Sequence, residues 1–457
     1  MKQLIRFALF PLLLFSFISV TNAQSAPAAD VRAAVSEACQ AAGRLRGSAP
    51  AACGFGGVER RHITGDISEY SFTLKLGSGE HDVVKIHRVV REKAPGVPRK
   101  TAHALMMVHG DLWGFDAAFL GSTLSGNVPR EQSIGVYLAS RGVDVWGIDL
   151  RWVQVPADTA DFTFMKDWNM GTHVGDIRVA LGVARAVRGV TGSGFGQMTL
   201  LGWSRGGMLA YAYANEETRL PEQARHVKAL IPVDIAYKFS AEHEAQRAAA
   251  CQRYNLNKQL LDAGQYHSPQ GVGVQTFGLL AASDPSGQSP IPGFPGLTNA
   301  QAALLVGSAT HLLFAPFPPV PDYHFNAGEF DAAGLPSGLQ FTREAYFYDY
   351  LQTAAPFQSF TEQVEGEAIQ CGASEVPYDD RLAEIAVSVY YVGAEGGFGR
   401  FGADTLSRLG SADVSSHVVQ LQPSGARAID FGHADLFLAD NARELVWTPI
   451  YNWVINH

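Results

Sequence analysis

Residues 198–206 read MTLLGWSRG, an apolar run that ends at a serine flanked by glycines. The run MTLLGW has the length and composition of a buried strand, and a helix is predicted to begin directly after Ser204. A Gly-x-Ser-x-Gly turn between a strand and a helix is typical of a nucleophile elbow, in which a tight turn exposes the serine hydroxyl. The motif alone is weak, because a serine at such a turn can simply cap the helix. Its flanks favour Ser204 as a nucleophile.

The alternation of strand and helix extends on both sides of this segment. The predicted elements are strands 69–76, 82–90 and 104–111, helix 131–141, strand 143–149, helix 174–188, strand 198–203, helix 205–217 and strand 227–234. A crossover between parallel strands needs a covering helix. The pattern therefore predicts an α/β fold with a doubly wound, mostly parallel sheet that opens with two antiparallel edge strands.

The alternation stops near Phe239 and returns with strands 385–392 and 415–421 and a helix at 440–456. Between them lie a helical stretch at 241–263 and loops rich in Gly, Pro and Phe. We expect residues 240–380 to form a cap inserted after the sixth predicted strand, between core parts 61–239 and 381–457. Its aromatic residues are expected to roof an apolar acyl or aryl site, although such residues more often form only the core of a cap; they are Phe314, Phe317 and Tyr323.

Residues 1–23 have the features of a signal peptide. Lys2 and Arg6 precede the apolar run FALFPLLLFSFISV, and small residues lead to Ala23. This run has 14 residues and contains Pro11, so it is shorter than the roughly 20 residues that cross a bilayer. We expect cleavage near Ala23, a periplasmic or extracellular location and no integral membrane segment in the mature chain.

The charge and the cysteines carry two further predictions. Loss of the signal peptide takes the formal net charge from -9 to -11, and no Lys/Arg cluster remains to favour a nucleic-acid partner or an anionic membrane surface. Four cysteines in an exported chain suggest disulfides. Cys39 and Cys53 lie in the N-terminal segment 24–60, and Cys251 and Cys371 bracket the expected cap, so these two pairings are preferred. None of the cysteines has metal-ligand spacing.

On these residues the chain resembles the α/β-hydrolase superfamily, and within it secreted bacterial lipase- and esterase-type members. The resemblance covers residues 104–239 and 385–457 and leaves the cap unmatched. It implies the α/β-hydrolase fold, a triad in the chain order Ser, acid, His, and an oxyanion hole built from two backbone N–H groups. Neither a metal nor an organic cofactor is required.

The resemblance also points to the oxyanion donors. One would be the N–H of Arg205, at the positive end of the helix that it begins. The other would come from the His-Gly loop at 109–112, with Asp111 preferred and Leu112 as the alternative. His109 itself is expected to support this loop rather than to take part in catalysis.

The general base should follow the last strand. His433 lies there within FGHADLF at 431–437, which resembles the ending of acid-lipase relatives, and its competitors are His417, inside a strand, and His457, at the terminus. Asp435 is expected to cap a helix or to fix the loop.

Two carboxylates compete for the role of the acid. Most superfamily members place it in a Gly-x-x-Asp turn after the seventh strand, but that turn here reads VGAEGG at 392–397 and offers only Glu395. Some lipase-type members use an Asp after the sixth strand, and ALIPVD supplies Asp234 there. A carboxylate that ends an apolar strand is costly to bury unless it is paired, which favours Asp234 over Glu395. Asp404 and Asp430 are simpler to explain as loop residues.

Together these features predict a secreted serine hydrolase of carboxylic esters that forms an acyl-enzyme. Its substrate would be a small-molecule, lipid-like or aryl ester. A hydrolase of amides or other bonds would use the same triad and stays open as an alternative. A non-catalytic binding protein on this fold is the other alternative, but such relatives typically lose the Ser or the His.

Overall fold

The computed structural model describes residues 26–44 and 53–457, so the predicted signal peptide at 1–23 lies outside the described residues. Within them, one sheet has nine main strands: β1 (Gly54–Thr64), β2 (Ile67–Lys75), β3 (Val83–Ala94), β4 (Ala104–Val108), β5 (Asp144–Asp149), β6 (Met198–Trp203), β7 (Val227–Val233), β8 (Ser388–Ala394) and β9 (Val414–Val419). Their lateral order is β1-β2-β3-β5-β4-β6-β7-β8-β9, and the short strand Val97–Pro98 pairs with β3. The strands from β4 to β9 are all parallel, whereas β1, β2 and β3 add an antiparallel edge.

Helices cover both faces of this sheet. In the described residues the α-helices of the core are α1 (Ala26–Arg44), α2 (Phe115–Leu120), α3 (Ile134–Ser140), α4 (Met170–Val190) and α5 (Arg205–Glu217), followed after the cap by α11 (Asp435–Leu438) and α12 (Thr448–Asn456). Side chains alternate between the two faces of a strand. Leu105 and Met107 of β4 therefore pack with α3 and α12, whereas Met106 and Val108 pack with α1, α4 and α5. The predicted doubly wound, mostly parallel α/β fold is confirmed.

The strand count differs from the prediction by one. Strand β1 has the sequence GFGGVERRHIT and is largely exposed at the sheet edge, so it lacks the apolar pattern that marks the inner strands. Strand β1 also crosses residue 60, which is the predicted boundary between the N-terminal segment and the core. The strand before the cap, β7, is therefore the seventh main strand and not the sixth.

The segment between β7 and β8 contains five α-helices: α6 (Glu244–Asp262), α7 (Gln270–Ser283), α8 (Asn299–Ser308), α9 (Glu344–Gln352) and α10 (Phe360–Cys371). Two small antiparallel pairs accompany them, His267–Ser268 with Gln358–Ser359 and Gly328–Phe330 with Pro336–Leu339. We refer to residues 240–380 as the cap.

The structure forms the same two disulfides that the grouping of the cysteines predicts. Cys251 of α6 is joined to Cys371 of α10, with Cα atoms 4.5 Å apart. Cys39 of α1 is joined to Cys53, just before β1, with Cα atoms 5.8 Å apart. The bond between Cys251 and Cys371 therefore links α6, the first α-helix of the cap, to α10, the last. Within residues 26–44 and 53–457, none of the helices is long and apolar enough to span a membrane.

Candidate active site

Ser204 occupies a strained turn between β6 and α5. Its backbone has φ 56° and ψ −127°, a conformation that costs a non-glycine residue roughly 1–3 kcal/mol and is found mainly where a site requires it. A Cβ atom on Gly202 would collide with the carbonyl group of Gly206, and one on Gly206 would collide with that of Val108. Both glycines of the motif are thus required by close backbone contacts, as in a nucleophile elbow.

The loop after β4 passes next to this serine. A Cβ atom on Gly110 would lie 2.7 Å from the Cβ and 3.3 Å from the Oγ of Ser204. The residue at this position must therefore be a glycine for the backbone to approach the hydroxyl. We call residues 109–113 the oxyanion loop, after the donor role that the sequence predicts for it.

His433 and Asp234 form a buried pair. The Nδ1 atom of His433 lies 2.6 Å from Oδ2 of Asp234, and both side chains are almost completely buried. Asp234 follows β7 with φ 46° and accepts hydrogen bonds from three backbone N–H groups, those of Ala394 (2.9 Å), Phe398 (3.1 Å) and Gly399 (2.9 Å). These three donors fix the orientation of the carboxylate. The carboxylate in turn fixes the Nδ1–H tautomer of the ring and leaves Nε2 able to accept a proton.

The other candidate acids have different partners. The carboxylate of Glu395 lies 3.2 Å from Nη1 of Arg427, so the structure brings it to an arginine and not to His433. Asp404 pairs with His243 at 2.6 Å, and Asp430 accepts hydrogen bonds from the backbone of the loop that contains it. Among the sequence candidates, Asp234 is the carboxylate that contacts His433.

The loop that carries His433 is attached to the cap. The carboxylate of Asp435 accepts hydrogen bonds from Asn326 (2.8 Å) and Thr342 (2.7 Å) of the cap, as well as from the N–H of Gly432 (2.8 Å). This network matches the expectation that Asp435 fixes the loop. The imidazole of His433 also stacks on Trp203, with ring centroids 5.1 Å apart.

Within the oxyanion loop, Leu112 has a strained backbone and Asp111 has a free N–H. Leu112 has φ 69°, and its N–H donates to Oε1 of Gln358 at 3.3 Å. The N–H of Asp111 has no acceptor among the residues that the structure describes. Arg205 is the first residue of α5, where a backbone N–H has no partner within the helix. Asp111 and Arg205 therefore keep the N–H groups that an oxyanion hole needs, whereas that of Leu112 is already used.

His109 supports this loop from beneath. The ring is fully buried, donates from Nδ1 to the carbonyl of Gly110 at 2.9 Å and accepts at Nε2 from the N–H of Leu150 at 3.1 Å. Burial lowers the pKa of His109, so the ring is neutral and can both donate and accept. The expected supporting role fits these contacts.

Ser204 and His433 line the same cavity, which has a volume of about 590 Å³. Its walls are mostly apolar and come from the core and the cap: Leu112, Trp113, Val274, Phe277, Leu313, Phe314, Phe317, Tyr323, Phe325 and Phe360. All three aromatic residues singled out in the sequence contribute to this wall. The charged residues of the wall are paired, Arg205 with Asp111 at 3.3 Å and Arg253 with Glu367 at 2.9 Å.

The contact of Gln358 with the oxyanion loop could not be predicted from the sequence. This residue contacts the oxyanion loop but is separated from Leu112 by 246 residues, within an irregular part of the cap. A single glutamine without a local motif gives no signal that could identify such a contact.

Comparisons with known proteins agree with the fold. A provisionally assigned lipase from Sulfolobus solfataricus superposes with a TM-score of 0.57 at 18% sequence identity, over 88% of this chain and 99% of that one. A soluble variant of monoglyceride lipase from Saccharomyces cerevisiae gives a TM-score of 0.40 at 10% identity, over 88% and 96% of the two chains. A thioesterase domain from the curacin biosynthetic pathway gives 0.37 at 12% identity, over 87% and 99%.

No protein-family model and no curated protein matches the sequence. The lipase structure from Sulfolobus solfataricus shares the architecture of this chain, and the predicted α/β-hydrolase fold is confirmed. At such low sequence identity the likeness establishes the fold and not the reaction, so the function has to be argued from the site.

Proposed function

We propose that the protein is a secreted carboxylic ester hydrolase in which Ser204 is the nucleophile, His433 the general base and Asp234 the acid that orients it. One observation carries the proposal: a serine in a strained elbow and a histidine held by a buried carboxylate at 2.6 Å line the same cavity. Positive φ values at Ser204 and Asp234 add support, because strained non-glycine residues concentrate at functional sites.

The mechanism is acyl transfer. Nε2 of His433 takes the proton of the Ser204 hydroxyl while Oγ forms a bond to the carbonyl carbon, and the electron pair of the C=O bond moves to its oxygen. Collapse of this intermediate breaks the ester C–O bond, and the alcohol leaves with the proton from His433. Water then attacks the acyl-enzyme with His433 as base, the carboxylic acid is released, and Ser204 regains its proton.

The negative oxygen of the intermediate would be bound by the N–H groups of Arg205 and Asp111. Both are main-chain donors in rigid surroundings, at the start of α5 and beside Gly110. Donors that are already oriented stabilise the developing charge without reorganisation, and one such donor is worth roughly 10²–10³ in kcat. The role of Leu112 as a donor is disfavoured by its hydrogen bond to Gln358.

The chemistry of the cavity wall favours an uncharged substrate. This wall is mostly apolar, and its charged side chains form pairs, so a substrate with a free carboxylate or ammonium group would find no unpaired charge among the wall residues that the structure describes. A small-molecule, lipid-like or aryl ester fits this chemistry. The N-terminal sequence, with cleavage expected near Ala23, and the two disulfides support export.

The proposal is tested by covalent labelling and by turnover. A fluorophosphonate should label Ser204, and Ser204→Ala should abolish labelling and lower kcat roughly 10⁴-fold or more on 4-nitrophenyl esters of graded chain length. Ser140→Ala, at an exposed serine of α3, is the matched control and should keep both activities. Labelling at another serine would refute the assignment. Faster turnover of matched amides would favour an amidase, and neither labelling nor turnover would favour a binding protein.

A further inference from the structure

The oxyanion loop is bound to the cap through both polar groups of its strained residue. Leu112 has left-handed backbone geometry, which a leucine does not adopt unless its surroundings hold it there. Its N–H donates to Oε1 of Gln358 at 3.3 Å, and its carbonyl accepts from the N–H of Ala355 at 2.6 Å. Both partners lie in the cap segment between α9 and α10. The conformation of the loop therefore depends on the cap.

Gln358 also reaches the neighbouring residue of the loop. Its Nε2 donates to Oδ1 of Asp111, and the same oxygen lies 3.3 Å from Nε of Arg205. Gln358 is fully buried, and its backbone is fixed by pairing with Ser268. Rotation of this amide would leave buried polar groups without partners, which is unfavourable. Its two ends are thus held in one orientation, with Oε1 towards the N–H of Leu112 and Nε2 towards the side chain of Asp111.

We infer that Gln358 is a positioning residue of the oxyanion hole. The inference rests on the proposed function, in which Asp111 and Arg205 supply the two N–H donors. The side chains of these two residues contact each other, and Gln358 joins that contact to the strained turn at Leu112. Gln358, a residue of the cap, thereby sets the direction of the N–H of Asp111, which belongs to the core. The cap thus completes the oxyanion hole.

This role makes a particular kinetic prediction. A donor aimed at the oxyanion acts when charge develops in the transition state, so its misplacement lowers kcat and leaves ground-state binding nearly unchanged. A merely structural glutamine would instead alter stability, or alter KM together with kcat. An alkyl trifluoromethyl ketone serves as a second probe, because its adduct with Ser204 carries an oxyanion.

Gln358→Ala should lower kcat by roughly 10- to 100-fold, because displacement of a catalytic group by about 1 Å can cost that much. KM should stay within about threefold, and affinity for the trifluoromethyl ketone should fall by the same factor as kcat. Gln370→Ala is the matched control, since Gln370 is also a buried cap glutamine that binds the core, through the carbonyl of Ala236 at 2.7 Å, away from the oxyanion loop. Its kcat should match the wild type.

Gln358→Glu provides an independent test that keeps the size of the side chain. It retains an oxygen for the N–H of Leu112 but replaces the donor to Asp111 with a second negative charge. We expect a loss of kcat at about pH 8 that is partly reversed towards about pH 5, relative to the wild type at each pH, because the introduced carboxyl regains a proton. If Gln358→Ala does not fold, the kcat of Gln358→Glu at the two pH values tests the positioning role of Gln358.

The outcomes separate this inference from the proposed function. If the wild type is not labelled at Ser204, the proposed function fails. If it is labelled and both Gln358 variants keep wild-type kcat and ketone affinity, the role of Gln358 alone is overturned. A fall in thermal stability without a change in kcat would also overturn it.

Discussion

Two buried histidines in this molecule contact carboxylates at nearly the same distance, yet their surroundings differ. His433 lies 2.6 Å from Asp234 and lines the cavity that contains Ser204. His87 lies 2.7 Å from Glu69 and 3.2 Å from Asp149, and its ring stacks on Phe115 inside the core. A histidine–carboxylate contact therefore does not identify a general base by itself; access to the nucleophile does.

The charges around the two rings differ as well. Asp234 binds three backbone N–H groups and one imidazole, whereas His87 has a carboxylate on each side. Burial alone would lower the pKa of His87, but the carboxylates of Asp149 and Glu69 raise it to about 10. His87 thus holds its proton at neutral pH and acts as a buried cation. A general base must instead be free to gain and lose a proton near the working pH.

The largest expected effect is a loss of kcat when His433 is replaced but not when His87 is replaced. His433→Gln should lower kcat by roughly 10⁴-fold or more with little loss of stability, because it removes the proposed base. His87→Gln should keep kcat close to that of the wild type and lose about 3–5 kcal/mol of unfolding free energy, because it removes a buried cation that the carboxylates of Glu69 and Asp149 contact. Ester turnover and denaturant unfolding of both variants check this. Loss of turnover in the His87 variant at retained stability would contradict the comparison.

The next effect concerns the carboxylate of the proposed triad. Asp234→Asn should lower kcat by roughly 10²- to 10⁴-fold, because the amide cannot fix the tautomer or stabilise the imidazolium. Glu395→Gln should remain within about an order of magnitude of the wild type, since Glu395 pairs with Arg427. The two variants should be compared at equal thermal stability. A crippled Glu395 variant beside an active Asp234 variant would reverse the assignment.

A smaller effect concerns the disulfides, which contact neither histidine. Non-reducing peptide mapping should find Cys39 joined to Cys53 and Cys251 joined to Cys371. Replacement of Cys251 and Cys371 by alanine should lower the free energy of unfolding by roughly 2–4 kcal/mol. Ser204 should still be labelled by the fluorophosphonate. Crossed pairing or free thiols in the peptide map would disprove the arrangement.

The last expected effect is the pH dependence of the stability that His87 contributes. The folded pKa of about 10 lies above the unfolded value of about 6.5, so the stabilisation is complete below about pH 6.5 and is lost as the pH rises through 10. The wild type should lose up to about 1.4 kcal/mol of stability per pH unit in this window from that group. The free-energy difference between the wild type and His87→Gln should therefore shrink from pH 6 towards pH 10. A constant difference would show that His87 is not protonated in the fold.

The core could be predicted from sequence because its signals are local. Strand, elbow and helix around Ser204 are contiguous, and β7 ends just before Asp234, so apolar runs and single turns are sufficient to find them. His433 could be identified as the candidate base from its position after the last strand alone. The choice of Asp234 over Glu395 rested on the cost of burying a carboxylate, and the contacts of both residues agree with it.

The remaining features depend on contacts that no local pattern encodes. Strand β1 is polar and lies at the sheet edge, so its apolar pattern is too weak to mark it as a strand. The helices of the cap after 263 and the contact between Gln358 and Leu112 depend on residues that are far apart in the chain. The ion cluster of His87 likewise joins β2, β3 and β5, and the sequence does not specify the pairing of β3 with β5.

Both loops of the proposed active site are attached to the cap, so the core and the cap of this protein are not independent, exchangeable modules. The cap holds the His433 loop through Asn326 and Thr342 and the oxyanion loop through Ala355 and Gln358. A graft that replaced residues 240–380 with the cap of another hydrolase would exchange the roof of the cavity and also remove four residues that bind these two loops. Substrate range in this scaffold is therefore better altered by substituting single wall residues such as Phe314 or Val274 than by exchanging whole caps.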